Sequence, residues 1–254
     1  MADEPTLAAD GAARQSVRRL LDRLRGKEEP VELRKLSPCL VTSAESGEGK
    51  STLAATFAAL AAREFDLRTL LVDLNWYKPS VHESFGLSKN YHIAEFLEKG
   101  PAEFIQKGVS DSLDVLTVPR FTKKEQGSNG DSQPSGAFFA GIRDFREEMP
   151  EASNSDDETD GKSNSKSWRL RTMRHLQTLQ DKYDFVVMDG PAVYPDDLGP
   201  LDALQLAVAS QTTLLVVMMR VTPRDTIKRA AMALQAQANL IGVVMNQHRN
   251  TLAH

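Results

Sequence analysis

The chain has 254 residues, 41% of them hydrophobic, and a formal net charge of −4 at pH 7. This length suits one large α/β domain with or without tails, and the small negative charge gives no indication of a nucleic-acid ligand or a membrane surface. A single cysteine, Cys39, excludes a disulfide framework, and its apolar neighbours favour a buried core residue over a nucleophile. No segment reaches the roughly 18–20 apolar residues of a membrane-spanning helix. We therefore expect a cytoplasmic protein without a membrane span of its own.

Residues 1–35 are predicted to be an N-terminal tail that carries a basic amphipathic helix. From Gln15 to Arg25, apolar residues recur at helical spacing with arginines between them. Two interpretations stay open. The helix packs on the domain with its arginines in solvent, or it docks on an acidic partner or a neighbouring subunit.

Short apolar runs alternate with helical patterns through residues 36–120. The predicted elements are a strand at Pro38–Thr42, a helix at Ser51–Arg63, a strand at Leu70–Val72, short helices at Tyr91–Lys99 and Ala102–Lys107, and a strand at Leu113–Val118.

The composition changes from 121 to 167, where Ser, Asn, Gly, Asp and Glu dominate. Such a segment buries too little apolar surface to fold, so we predict a disordered acidic and polar insertion. The domain resumes over 168–248, and 249–254 form a tail. The predicted elements here are helices at Leu170–Leu179, Leu201–Ala209 and Arg224–Ala236, and strands at Phe185–Met188, Thr213–Met218 and Leu240–Met245.

Almost wholly apolar strands that alternate with helices indicate a parallel sheet covered on both faces. We therefore predict a three-layer, doubly wound α/β fold with a mainly parallel sheet of six or seven strands. Residues 36–120 and 168–248 together would form one domain.

The segment Ser43–Thr52 follows a predicted buried strand, opens a predicted helix and fits the P-loop pattern, with Ala44 replacing the usual first glycine. Its glycines permit backbone angles that turn successive N–H groups inward as an anion nest, and the helix dipole adds positive potential. Lys50 is expected to reach the β- and γ-phosphates and the Ser51 hydroxyl to bind magnesium. ATP and Mg²⁺ are thus the predicted ligands, and residues 36–120 and 168–248 are predicted to form a domain with the P-loop NTPase fold. The predicted nucleotide-binding residues are Gly47, Glu48, Gly49, Lys50, Ser51 and Thr52.

Two aspartates end predicted strands. Asp189 follows four apolar residues, as the Walker B position requires, and Asp73 follows the strand after the P-loop helix. In a parallel sheet both would emerge beside the phosphate loop. An aspartate there can bind the metal or accept the proton of an attacking hydroxyl. The candidate catalytic residues are therefore Lys50, Asp73 and Asp189, and the candidate magnesium ligands are Ser51, Asp73 and Asp189.

Several segments together resemble the bacterial tyrosine kinases of exopolysaccharide and capsule synthesis, members of the deviant P-loop class that also contains partition and division-site ATPases. Positioning ATPases of that class carry a second lysine just after the first glycine of the loop. Glu45 stands at that position here and favours the kinase branch. The segments that carry the resemblance are Ser43–Thr52, Leu70–Asp73 with Lys78–Ser80 and Phe85–Leu87, Tyr183–Pro191, and Gly242–Asn246.

The resemblance implies transfer of the ATP γ-phosphate to protein tyrosine. It implies Walker A roles for Lys50 and Ser51, a Walker A′ role for Asp73, a Walker B role for Asp189, and contact of Asn246 with the adenine base. It also implies a membrane-spanning polysaccharide chain-length regulator as partner, whose cytoplasmic tail activates the kinase and recruits it to the inner face of the plasma membrane. A homo-oligomer is a further expectation.

Departures from the family pattern leave other functions open. The second aspartate and the arginine of the Walker A′ motif are Asn75 and Tyr77 here, and Asn75 cannot act as a base. No tyrosine follows Tyr194, and the Glu-x-x-Arg-x-x-Arg element of the family's ring is not recognisable. Asn75 and the missing C-terminal tyrosine cluster favour a degenerate kinase that binds ATP and regulates polysaccharide export over a kinase of the usual form. A partition-type ATPase is the third alternative, which Glu45 disfavours.

Overall fold

The computed structural model of the chain describes residues 15, 17–19, 33–76, 78–89, 91–110, 112–119, 174, 177–195 and 201–247. The strands are β1 (Cys39–Ser43), β2 (Thr69–Asp73), β3 (Gln106–Ser110), β4 (Leu113–Leu116), β5 (Phe185–Asp189), β6 (Thr212–Met219) and β7 (Leu240–Gln247). The helices are α1 (Lys50–Phe65), α2 (Val81–Ser84), α3 (Ile93–Lys99), α4 (Ala203–Ala209) and α5 (Arg224–Gln235), with 3₁₀ helices at Leu33–Leu36 and Pro101–Phe104. None of the described helices combines the length and the apolar character that crossing a bilayer requires.

The seven strands form one sheet in the order β3-β4-β2-β5-β1-β6-β7. Every neighbouring pair is parallel except β3 and β4. The strands β1, β2 and β5 are buried along their whole length, which is favourable only where helices cover both faces of the sheet. The predicted three-layer, doubly wound, mainly parallel fold is therefore confirmed. Because β1, β2 and β5 are parallel neighbours, their carboxyl ends meet at one edge of the sheet.

The helix α1 covers the centre of one face. Its buried alanines let it lie close to β1, β2 and β5, and the Phe57 ring meets the Phe185 ring edge to face at 5.4 Å. Cys39 is buried in the same cluster, and burial raises its pKa to about 12, so the prediction of a core residue is confirmed. Alternate strand residues such as Leu40 and Met188 are buried on the opposite face.

One predicted helix is wrong. Residues 102–107 do not form a helix, because the 3₁₀ turn Pro101–Phe104 is followed by strand β3. This strand lies at the edge of the sheet, pairs antiparallel with β4 and is half-buried or exposed along its length. It also contains Gly108 at φ +63°. An edge strand of this kind lacks the apolar alternation from which strands are predicted. The short helix α2 was not predicted either.

Two predicted segments, the insertion 121–167 and the tail 249–254, lie outside the described residues. The predicted basic helix is described only at 15 and 17–19, where it is helical. Val17 is fully buried there, and Arg18 Nε lies 3.7 Å from Glu64 Oε2 of α1. These contacts favour a helix that packs on the domain. The predicted helix Leu170–Leu179 is helical where it is described, at 174 and 177–179.

The chain divides into two compact units. One comprises the described residues of 1–89, 105–118 and 178–247 and contains the whole sheet. The other comprises those of 90–104 and 119–177 and contains α3 and the second 3₁₀ helix. Within it, the Tyr91 ring stacks on Phe104 at 4.3 Å and on Phe96 at 6.0 Å between ring centroids.

Candidate nucleotide-binding site

The phosphate loop connects the buried strand β1 to the first residue of α1, Lys50. Gly47 and Gly49 adopt φ values of +82° and +85°, which side-chain-bearing residues rarely adopt. At Gly49 there is also no room for a side chain, because a Cβ atom would lie 2.4 Å from Asn246 Nδ2. The loop therefore has the backbone form of an anion nest at a helix N-terminus, as predicted from its sequence.

The Glu48 side chain is buried and faces the protein. Its Oε2 accepts a hydrogen bond from the Glu45 N–H at 2.7 Å, and its Oε1 accepts one from the Met218 N–H at 3.0 Å. The Thr222 hydroxyl donates to the same Oε1. Glu48 was predicted to bind the nucleotide, but its carboxylate is fully engaged by these three donors, so only its backbone remains for a ligand.

Asp189, at the end of β5, is fully buried beside Lys50 and Ser51. Burial raises the pKa of Asp189 to about 6, against the opposing influence of the Lys50 charge and the Ser51 hydroxyl. Neither group reaches hydrogen-bond geometry with the carboxylate, and neither Asp189 oxygen has a hydrogen-bond partner among the described residues. A buried carboxylate with both oxygens unpaired is costly in a folded protein, and both oxygens are available to an external ligand.

Asp73 lies next to Asp189 on the adjacent strand, and the two residues are in register. Its Oδ1 accepts the Asn75 N–H at 3.1 Å and its Oδ2 accepts the Val81 N–H at 3.3 Å. Burial and the neighbouring charge of Asp189 raise the pKa of Asp73 well above its usual value, although the two N–H groups and Lys89 oppose this. The structure therefore brings the two predicted acids together but gives them different surroundings.

Asn75 is buried, and its Nδ2 donates to the Lys78 carbonyl at 2.9 Å. The Lys78 N–H in turn donates to the Asn75 carbonyl at 3.2 Å. An ionised aspartate at this position would have no proton to donate to the Lys78 carbonyl, so the amide fits this turn better than a carboxylate would. Tyr77 is outside the described residues.

The remaining predicted residues lie around the loop. Asn246, on β7, donates from Nδ2 to the Glu48 carbonyl at 3.0 Å and so contacts the loop backbone itself. Ser51 is half-buried at the start of α1, whereas the Thr52 side chain is exposed. Sequence reasoning did not identify Met218 and Thr222, because no local pattern marks a β-strand N–H or a threonine as a partner of the loop.

Magnesium is the cofactor that this chemistry suggests. Among the residues that the structure describes, no cluster of three or more His, Cys, Asp or Glu side chains is arranged to hold a metal. Mg²⁺ bound with a nucleotide needs no such cluster, because one or two carboxylates, phosphate oxygens and water complete its shell. The unpaired oxygens of Asp189, with the Ser51 hydroxyl nearby, fit that requirement.

The model of the CbiA family, the CobQ/CobB/MinD/ParA nucleotide binding domain, matches residues 39–254. The chain belongs to this family. The match begins at β1 and includes the phosphate loop, Asp73 and Asp189.

Among curated relatives, tyrosine-protein kinase YwqD of Bacillus subtilis (strain 168) is 26% identical over 216 residues, covering 84% of this chain and 73% of the relative. The kinase domain of the Escherichia coli tyrosine kinase ETK superposes with a TM-score of 0.65 at 21% identity, covering 98% of this chain and 83% of that domain. The VpsO kinase domain gives a TM-score of 0.64 at 19% identity, covering 95% and 97%. These similarities confirm the resemblance to bacterial tyrosine kinases that the motifs indicate.

Proposed function

We propose that the chain is an ATP-dependent protein-tyrosine kinase of the type that acts in exopolysaccharide or capsule synthesis. The observation that carries the proposal is Asp189, a buried carboxylate with no partner among the described residues, beside the lysine and serine of a P-loop. The similarity to YwqD supports the kinase branch of the family. So does Glu45, which replaces the second lysine of the positioning ATPases.

Each of the residues around the phosphate loop would have its own role in phosphoryl transfer. Ser51 and Asp189 would hold magnesium, which when bound neutralises charge on the phosphate oxygens. The loop N–H groups and Lys50 would bind and orient the β- and γ-phosphates. Asp73 would accept the proton of the attacking tyrosine hydroxyl. The raised pKa of Asp73 makes its ionised form a stronger base than an exposed aspartate.

One observation favours a second function, a degenerate kinase that binds ATP and acts as a regulatory partner of polysaccharide export. Asn75 occupies the position of the second Walker A′ acid, and its amide is committed to the Lys78 carbonyl. Asn75 therefore provides no second base. The two functions share the nucleotide site and differ in whether the phosphoryl group is transferred.

The partner of either function would be a membrane-spanning chain-length regulator whose cytoplasmic tail binds the domain. This partner would recruit the chain to the inner face of the plasma membrane, and assembly into a homo-oligomer would accompany activation. Both expectations rest on the resemblance to the bacterial tyrosine kinases.

The test is incubation of the full chain with Mg²⁺ and γ-labelled ATP, with and without the regulator's cytoplasmic tail. Lys50→Ala removes the phosphate-binding lysine, and Lys228→Ala, at an exposed position on α5, is the matched control. Label on tyrosine that is absent only in Lys50→Ala is the expected result. Free phosphate without labelled protein would indicate an ATPase, and ATP binding with neither product would indicate the regulator. No binding of ATP would contradict both functions.

A further inference from the structure

Glu48 is a negative charge inside a loop whose task is to bind phosphates. It directly precedes Gly49 and Lys50. An ionised carboxylate that faced a phosphate would repel it strongly in so buried a site. The carboxylate is instead 3% exposed and directed into the protein, which leaves the question of what it does there.

Glu48 joins the loop to itself and to β6. Its Oε2 accepts the Glu45 N–H, which closes the loop across three residues. Its Oε1 accepts the Met218 N–H near the end of β6 and the Thr222 hydroxyl in the turn before α5. We call these four residues the Glu48 clamp. The Thr222 hydroxyl oxygen also accepts a hydrogen bond from the Met218 N–H at 3.0 Å, so Thr222 contacts both Glu48 and Met218.

The backbone of Glu48 is held as well. Its carbonyl accepts the Asn246 amide from β7 at 3.0 Å, so one loop residue is tied to both strands at this side of the sheet. Hydrogen bonds to an ionised group are about twice as strong as neutral ones, and the carboxylate here has three donors. Together these contacts hold the loop at a residue flanked by glycines on both sides.

Such a restraint matters because the glycines that allow the shape of the loop also make the loop more flexible when it is not held in place. Gly47 and Gly49 both sit at positive φ, and glycine loses more conformational entropy on ordering than any other residue. A loop that must be ordered by its ligand binds more weakly than one that is already ordered. A carboxylate that fixes the residue between the two glycines keeps the loop N–H groups aimed at the phosphates before the nucleotide arrives.

We propose that Glu48 is a positioning residue that pre-organises the phosphate loop through the Glu48 clamp, without contacting the nucleotide through its carboxylate. The inference rests on the proposed binding of ATP at this loop and is independent of phosphoryl transfer. Met218 and Thr222, as members of the Glu48 clamp, would then contribute to the affinity for the nucleotide.

The test measures the affinity of the full chain for Mg²⁺–ATP and Mg²⁺–ADP by calorimetry, well below the melting temperature of each variant. Glu48→Gln places an amide donor against either the Glu45 N–H or the Met218 N–H, so one side of the clamp is lost. We expect affinity for both nucleotides to fall about tenfold, which corresponds to about 1.4 kcal/mol. Glu64→Gln, near the far end of α1, is the matched control and should bind as wild type.

Thr222 provides a second arm that holds even if Glu48→Gln does not fold. Thr222→Val keeps the shape but removes the hydroxyl donor, and we expect a loss of about threefold, whereas Thr222→Ser keeps the donor and should restore affinity. Amide hydrogen exchange at residues 45–49 should accelerate in Glu48→Gln and Thr222→Val but not in Thr222→Ser.

Two results would overturn the proposal. One is a folded Glu48→Gln that binds as tightly as wild type, because Glu48 would then contribute to stability alone. The other is tighter binding, because the carboxylate would then act on the phosphates as an opposing charge. A wild-type chain that binds neither nucleotide overturns the proposed function as well. Wild-type binding with unchanged Glu48→Gln affinity overturns this inference alone.

Discussion

Two aspartates bracket the same strand and have opposite surroundings. Asp184 immediately precedes β5, and its Oδ2 accepts the Arg68 backbone N–H at 3.0 Å and the Arg68 Nε–H at 3.2 Å. Arg34 Nη2 lies 3.3 Å from its other oxygen. The hydrogen bond from Arg68 holds the pKa of Asp184 below its usual value. Asp189, at the other end of β5, has no hydrogen-bond partner among the described residues, and burial raises its pKa.

We propose that this difference separates a structural acid, Asp184, from a functional one, Asp189. An acid that is paired within the chain receives its hydrogen bonds from the folded protein itself. A partly exposed ion pair of this kind contributes little to stability. An acid that is buried without a partner destabilises the folded state and is retained where an external ligand uses it. The two aspartates therefore offer matched substitutions at the two ends of one strand, with opposite expected consequences for stability.

The largest expected effect is on activity. Asp189→Asn should lower Mg²⁺-dependent turnover of ATP on the order of 1,000-fold, because an amide is a poor ligand for magnesium and removes a preorganised charge from the site. Asp184→Asn should leave turnover within about twofold of wild type, since ion-paired surface acids contribute little. Steady-state kinetics with a Mg²⁺ titration measures both. Equal losses in the two variants would show that their different environments do not reflect different roles.

Asp73→Asn tests whether a metal-binding aspartate is identified by its lack of hydrogen-bond partners within the chain, or only by its position at the end of a strand. Asp73 ends a parallel strand as Asp189 does, but both of its oxygens accept backbone N–H groups. We expect phosphoryl transfer to fall roughly 100-fold through loss of the base, with Mg²⁺–ATP affinity close to wild type. A large loss of Mg²⁺ affinity in calorimetry would instead make Asp73 a direct ligand.

The next effect is on the stability of metal-free protein. The pKa of Asp189 is raised from 3.8 to about 6, so the folded state binds more protons than the unfolded state between these values. The contribution of Asp189 to the stability of the folded state therefore falls as the pH rises through this window, and it stays low at higher pH. In chelator at pH 7, we expect Asp189→Asn to be more stable than wild type by roughly 1–3 kcal/mol, with the gain vanishing towards pH 4. Thermal melts across this range would contradict the assignment if the variant were less stable at pH 7.

The smallest expected effect is a loss of stability in Asp184→Asn, opposite in sign to the gain expected for Asp189→Asn. The pKa of Asp184 is lowered from 3.8, so its contribution is present above that pH and is lost as the pH falls through the lower folded-state value. At pH 7, Asp184→Asn should lose roughly 0.5 kcal/mol, because the Arg68 guanidinium is largely in solvent and screened. Urea unfolding at pH 7 and at pH 3 should show the difference from wild type shrinking at the lower pH. A difference that grows on acidification would contradict the lowered pKa.

Much of the fold could be predicted from local patterns. The central strands are short, wholly apolar runs bounded by turns, and the glycines and the lysine of the loop identify a phosphate nest because their backbone angles and charge act locally. The edge strand β3 could not be predicted in this way, because its residues are half-buried or exposed without apolar alternation, and its pairing with β4 makes it a strand.

The sequence by itself determined the fold class, the phosphate loop and the presence of an acid at the ends of β2 and β5, since each depends on residues that are neighbours in the chain. Only the tertiary structure decided which groups surround each acid. Glu48 meets Met218 and Thr222 across 170 and 174 residues, and Asp189 is left without a partner although Asp184, five positions earlier, has two arginines. Such pairings depend on the order of the strands in the sheet and on which side chains the packing excludes from water, and neither is encoded in a local pattern.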